Sequence, residues 1–431
     1  MRGNIIIKFI TLFFIILISV FFGYENPELI ESTKSTLKKK FLNRIDEEKV
    51  NKIDEEKVNK INEEKVNKID TDSQLTEIKA NSFSLKLSKV KSFQEQSASL
   101  IISTNTSNEA KFKVFTRDGF LIVKDNKKKI DLPSFYYDKN AGGIKSVFLI
   151  NNEYFALISS KKVNWLQKVD CLYASLISLK SKRELLKSKC LPDPQKINFA
   201  GLGGAYITLE NNLLLSIGAP EHDSQKIAEL AQIKDSIFGK ILNIEIESLS
   251  SDNDKNIKYD FFSLGHRNPQ GLALLEGDIF SLEHGPQGGD ELNKILRGKN
   301  YGWPVVSFGT KYDDGKSYST DHFKSNFQEP IFFFNPAVAP SALNKCPKNL
   351  SDYYQNNNCL IGLSLAGKSI LIFLLDKENN KVLNVEKIFI GKRLRHFGVK
   401  ESGDLFLSSK NYFYITADSD GLYKVKFDNF R

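Results

Sequence analysis

An all-β body is what the sequence predicts from about residue 75 onward, and three observations carry that reading. Short apolar runs bounded by Gly, Asn and Asp take over the chain there. Helical periodicity is scarce beyond a short piece at 224–230. One unit recurs: a turn pair drawn from Gly, Asn, Asp and Glu, then three or four mostly apolar residues. It stands at 118–123, 152–157, 211–215, 277–280, 357–361 and 403–407. The intervals, roughly 35 to 80 residues, match blades of four short strands, so six units suit a six-bladed β-propeller. Their spacing is too uneven to require one by itself.

Ahead of the body, residues 1–25 form a membrane or signal segment. Residues 5–23 are almost wholly apolar, with Arg2 and Lys8 toward the amino terminus, the pattern of an export signal. A stretch of this length just spans a bilayer. Phe21 stands where a cleavage site needs a small residue, so the segment reads as an anchor that stays. The body is then periplasmic or extracellular, tethered to the inner membrane by residues 5–23, and that segment is its membrane contact.

Residues 26–74 form a charged, partly helical stalk. IDEEKVNK begins at Ile45 and again at Ile53, and INEEKVNK follows at Ile61. Glu48–Lys52, Glu56–Lys60 and Glu64–Lys68 are spaced to support a helix. An eight-residue repeat turns its Ile/Val stripe by about 80° per copy on a helix of about 3.6 residues per turn, which disfavours a sustained coiled-coil seam. The stalk supplies distance rather than chemistry. Residues 75–431 remain as the β body.

Composition narrows the class further. Hydrophobic residues make up 41% of the chain and include 32 Phe, enough for a large core. The net charge of +9 comes mostly from scattered Lys and contains no run of five basic residues, which argues against a nucleic-acid partner. Cys171, Cys190, Cys346 and Cys359 fall as two close pairs. In an oxidising compartment, sequence order favours Cys171–Cys190 and Cys346–Cys359 among the three pairings, and no Cys/His spacing suggests zinc.

Chemistry concentrates at residues 265–304. GHRNPQG opens on a polar turn, a short apolar strand follows over 278–282, and EHGPQGGDELN forms a second turn. GKNYGWP then closes the stretch with an aromatic turn. Gly, Pro and Asn make these turns tight and let backbone approach a ligand closely. The two flanking turns sit at one sheet edge. Only nine of the 61 basic residues are Arg, and three stand in such motifs: Arg267, and Arg393 and Arg395 in GKRLRHFG. Arg is the cation suited to bidentate carboxylate recognition.

These motifs, in this order and spacing, resemble the soluble glucose/sorbosone dehydrogenases, six-bladed propellers that use pyrroloquinoline quinone (PQQ) and calcium. The resemblance covers roughly residues 110–427, densely after residue 239. It implies that Arg267, Asn268, Arg393 and Arg395 contact PQQ, and that the carbonyls of Gly285 and Pro286 bind calcium, which accepts such oxygen ligands. It implies oxidation of a sugar or related alcohol, with electrons passing to an external acceptor. Gln270 and Trp303 would hold the turns, and His266 and His284 read as structural.

The amino-terminal half departs from the family's pattern. Relatives carry a catalytic His a few residues before a Gly-Gly pair. The corresponding stretch here, NFAGLGG at 198–204, contains none. Ala219 replaces a strand-closing Asp, and Ala141 stands at a sugar-binding Gln. His222 is the nearby candidate for the base. Loss of a general base typically costs about 10²–10⁴ in rate. The alternative is therefore a non-catalytic propeller that binds a glycan or protein partner at the cell surface.

Overall fold

The computed structural model describes residues 75–430, except 81–82, 105–109, 221–224, 250–256, 325, 356, 401–402 and 409. The expectations for residues 1–25 and 26–74 lie outside the described residues, as does His222. Among the described residues, no helix is long and apolar enough to cross a membrane.

The strands pair into antiparallel groups of four. Ser97–Thr104 opens the first group, which ends at Asn126–Lys129; Ile144–Ile150 opens the second, which ends at Glu184–Lys187. The third runs from Gly203–Leu209 to Tyr259–Leu264 and the fourth from Pro269–Leu275 to Phe332–Phe334. The fifth runs from Pro340–Lys345 to Val382–Phe389. In the sixth, Leu394–Val399, Phe413–Ala417 and Gly421–Asp428 are completed by Ser84–Ser92, with Leu75–Lys79 added outside it. The strand Ser84–Ser92 thus closes the circuit against Gly421–Asp428.

The opening strand of each group packs against the opening strand of the next, and the sixth returns to the first. That closed circuit makes the architecture propeller-like. At the seam, Gly398 pairs with Leu100 and Val399 with Ile101 in parallel, merging two groups into one nine-stranded sheet. Opening strands must approach closely: a Cβ on Gly271 would lie 2.5 Å from the Leu343 amide nitrogen. Any side chain there would push neighbouring groups apart.

The core lies between successive groups. Phe148, Phe155 and Leu176 of the second meet Leu213, Leu215 and Leu242 of the third in one buried cluster. Phe280 and Leu282 of the fourth meet Leu360 and Phe373 of the fifth. Alternation along each strand sends these side chains into the interface. Burying each stabilises the fold by roughly 1.5–3 kcal/mol. Cys171 is bonded to Cys190 and Cys346 to Cys359, with Cα–Cα distances of 5.7 and 5.4 Å.

Five of the six recurring units become strands, from Phe120–Val123 to Asn358–Ser364. The sixth does not. Around residue 405 the pairing is a single bridge to Val399, and the Phe406 N–H donates to Gly398 O. Leu405 and Phe406 turn into the core there instead of extending a ladder. GHRNPQG also differs from expectation: its last three residues already belong to the strand Pro269–Leu275, because Pro269 pairs with Glu283 and Gly271 with Leu282. The helical piece near 224–230 forms a turn of α-helix at Gln225–Ala228 and a 3₁₀ turn at Glu229–Ala231.

Candidate cofactor and substrate site

Because Pro269 faces Glu283 across an antiparallel pair, the turns at 265–268 and 284–289 emerge at the same end of the fourth group. Two buried carboxylates hold them. Glu283 Oε1 accepts from His266 Nδ1 at 3.0 Å and from Asn293 Nδ2 at 2.9 Å, while Oε2 accepts the Arg267 N–H at 3.1 Å. The Nε2 of His266 then accepts from Ser263 Oγ at 2.8 Å, and its ring stacks on Tyr301. His266 is a fully bonded structural histidine.

Asp290 holds the second turn. Its Oδ1 accepts the Gly285 N–H, and its Oδ2 accepts those of Val338 and Ala339. Burial pushes the Asp290 pKa up, against these three donors. A Cβ on Gly285 would lie 2.2 Å from Gly289 O, so the turn closes only around glycine.

Arg267 reaches from the first turn into a cavity of about 560 Å³, whose lining includes Asn198, Ala219, Pro286, Trp303 and Tyr312. Its guanidinium carbon lies 5.3 Å from the Trp303 ring and 6.0 Å from Tyr312, a cation held between aromatic faces. Nη1 donates to His284 O at 3.4 Å. Trp303 therefore does more than hold a turn: it lines the cavity, and its buried Nε1–H has no partner.

Asn268 sits differently. Its Oδ1 accepts from the Gly203 N–H at 3.1 Å and from Gln270 Nε2 at 2.8 Å, tying the fourth group to the third. That oxygen brackets two groups. Arg395 lies on the strand Leu394–Val399, with Nε donating to Asp418 Oδ1 at 2.8 Å and Nη2 to Oδ2. Asp418 occupies one edge of the fork and leaves Nη1 for another acceptor. Arg393 precedes that strand and is exposed.

These cations converge on His284. Burial first, then the charges of Arg267, Arg395 and Arg393, lower its pKa to about 3, while a hydrogen bond to the Pro340 carbonyl works the other way. The ring is neutral, and Nε2 is buried without a partner.

The segment without the expected His faces the same space. Asn198 caps the 3₁₀ turn Phe199–Gly201 by accepting the Ala200 N–H, and it lines the cavity with Ala219. The Ala219 N–H donates to Arg267 O at 2.7 Å, joining the two halves directly. Pro220 also lines the cavity.

Sequence reasoning missed Tyr312, Asp418 and two cations, Arg117 and Lys145. Burial, then Arg117 and Arg395, lowers the Lys145 pKa well below its ordinary value. Only the Gly142-Gly143 pair just before Lys145 hinted at it; no motif marks the others.

A closed circuit of β-sheets, with Lys196, Arg267 and Lys311 among the residues lining a cavity, defines a propeller-like fold. The chain belongs to the Glucose / Sorbosone dehydrogenase family, whose model matches residues 178–413. Over 210 residues it is 33% identical to an uncharacterized protein of Synechocystis, covering 46% of this chain and 50% of that one. Aldose sugar dehydrogenase YliI of Escherichia coli is 29% identical over 189 residues, 41% of this chain and 49% of that one. Quinoprotein glucose dehydrogenase B of Acinetobacter calcoaceticus is 42% identical over 86 residues, 19% and 18% of the two chains. The chain thus spans at most about half the length of these curated relatives.

Solved structures agree on the fold. The apo soluble aldose sugar dehydrogenase from Escherichia coli superposes with a TM-score of 0.58 at 20% identity, over 80% of this chain and 100% of that one. The PQQ-bound aldose sugar dehydrogenase from Streptomyces coelicolor gives 0.51 at 18%, over 80% and 98%.

Proposed function

We propose that the chain is a six-bladed β-propeller oxidoreductase that binds PQQ and calcium and oxidises a sugar or related alcohol, with electrons leaving to an external acceptor. The observation that carries this reading is the cavity in which Arg267, flanked by Trp303 and Tyr312, meets Pro286. PQQ bears three carboxylates. Arg267, Arg393 and the open Nη1 of Arg395 suit them chemically, and the unpartnered Trp303 Nε1–H suits an acceptor beside them. The Gly285 and Pro286 carbonyls are oxygen donors of the kind calcium takes. The names of the quinoprotein relative and of the PQQ-bound structure support the same cofactor.

When bound, the quinone supplies an acceptor for hydride. This chain's residues do the rest. Arg267 orients a planar anion against Trp303, and Glu283 fixes the turn from which Arg267 projects. Asn268 contributes through the bracket to Gly203 and Gln270. The base is the weak part: Asn198 and Ala219 offer none, and His222 is the nearest imidazole in sequence.

The same reading takes 1–25 as a signal anchor, 26–74 as a stalk and 75–431 as the propeller, exported to the periplasm or cell surface. Two disulfides support export. Ala219 and the His-free 198–204 segment favour a second reading, a non-catalytic propeller that binds a glycan or protein. Titrating the calcium-loaded protein with PQQ, followed by quinone absorbance, separates the two. Saturable binding supports the oxidoreductase, and no binding at saturating calcium assigns the chain to the second reading.

A further inference from the structure

The opening strands surround an axial cavity of about 160 Å³, and Lys145 lines it with Gly204, Gln270, Ala342 and His396. Lys145 Nζ donates to Ala141 O at 2.6 Å, and Arg117 Nε donates to the next carbonyl, Gly142 O, at 2.7 Å. Consecutive carbonyls therefore hold two cations side by side. Arg117 Nη1 donates to Gln96 Oε1 at 2.9 Å, and its Nη2 is buried with no partner. These acceptors are all neutral. Arg395 disfavours charge on both Lys145 and Arg117, Asp418 favours it on Arg117, and Asp418 holds the Nε and Nη2 of Arg395. On the outer side of Arg117 a cavity also meets Glu95, Asp118 and Asp138, and Glu95 is committed to Lys127.

Lys145 and Arg117 are half-buried, and a cation drawn partly out of water is costly unless an anion or a full set of acceptors compensates it. Two whose hydrogen bonds go to neutral oxygens make a place where a negative group is favoured. Clamping the 137–143 loop accounts for the bonds from Nε and Nζ. It leaves the Arg117 Nη2 and the choice of cations at both positions unexplained.

We propose that Lys145, on the wall of the axial cavity, and Arg117, on the adjoining carbonyl, form an oxyanion site that takes a carboxylate or a phosphate ester. The group comes from an acidic sugar substrate, such as a sugar acid or sugar phosphate, or from a carboxylate of the cofactor. Both sources present the same chemistry to the site. The site itself does not depend on PQQ binding.

Calorimetric titration of the full chain with inorganic phosphate, without cofactor, tests it. The wild type should bind, and Lys145→Met and Arg117→Gln should each weaken binding by about tenfold or more, as expected for a lost hydrogen bond to a charged group. Arg297→Gln, on the exposed surface, should leave it unchanged. Arg117→Gln also loses a loop clamp, so Lys145→Met with a wild-type unfolding midpoint is the decisive variant. Undetectable phosphate binding by the wild type, or wild-type affinity in Lys145→Met, overturns the proposal. Two further titrations identify the source. Weaker PQQ binding in Lys145→Met assigns the oxyanion to the cofactor. Unchanged PQQ binding, with gluconate displacing phosphate, assigns it to an acidic sugar.

Discussion

The turns at 265–268 and 284–290 and the segments at 141–145 and 198–204 border the same end of the fold, yet they are built on different terms. In the turns, single carboxylates organise several donors: Glu283 serves His266, Arg267 and Asn293, and Asp290 serves three backbone amides. In the segments, small and apolar residues predominate, and the one charged residue, Lys145, donates to the backbone carbonyl of Ala141. Where one carboxylate supports several donors, changing any member leaves a buried group unsatisfied. At Ala141 and Ala219 no such coupling exists, so the chemistry there can drift while the fold holds.

The largest expected effect is on turnover. Loaded with calcium and PQQ and assayed with an aldose and an artificial electron acceptor, the protein should run about 10²–10⁴ more slowly than a relative that keeps the His. Its pH profile should lack a limb near 6–7, where histidine ordinarily titrates. Fast turnover that disappears in His222→Ala would show the base relocated, and the contrast between the two regions would fail.

Next is the carboxylate under the first turn. Glu283→Ala leaves His266, the Arg267 N–H and Asn293 without their acceptor. Breaking such a buried cluster should cost about 3–5 kcal/mol, read from urea unfolding. A loss below about 1 kcal/mol would mean that the turns are no more tightly coupled than the segments.

Arg395→Ala should weaken PQQ by roughly 10- to 150-fold, the range for a hydrogen bond to a charged group, with Arg395→Lys restoring only part. Because Asp418 then loses its partner, Asp418→Asn in the same chain should recover some stability but no affinity. Quinone absorbance and thermal unfolding measured together distinguish these outcomes.

A pH-dependent effect concerns Glu291, which faces Glu283 across adjacent strands. Burial, then repulsion from Glu283, raises its pKa from 4.5 to about 8. The folded state therefore holds a proton that the unfolded chain releases. The stability this contributes is complete below about pH 4.5 and is lost as pH rises toward 8. Wild-type unfolding free energy should fall between pH 5 and pH 8 by more than that of Glu291→Gln. Equal slopes would remove Glu291 as the cause.

Much of this protein could be read along the chain. Turn residues before short apolar runs located the strands at 153, 212, 278 and 358, because turn chemistry and alternation are properties of neighbouring residues. GHRNPQG and EHGPQGGDELN marked one end of the fourth group for the same reason. Cysteine order indicated both disulfides, since short loops close most readily. Tertiary structure decided what depends on distant partners. Leu405 and Phe406 carry a strand's composition yet turn inward, because burial against the opening strand outweighs a ladder there. Arg393 and Arg395 look equivalent in GKRLRHFG, but Asp418, more than twenty residues later, claims only Arg395. Lys145 is one lysine among many until the fold brings Arg117 to the neighbouring carbonyl. Charge acts through space, and only the closed fold sets those distances.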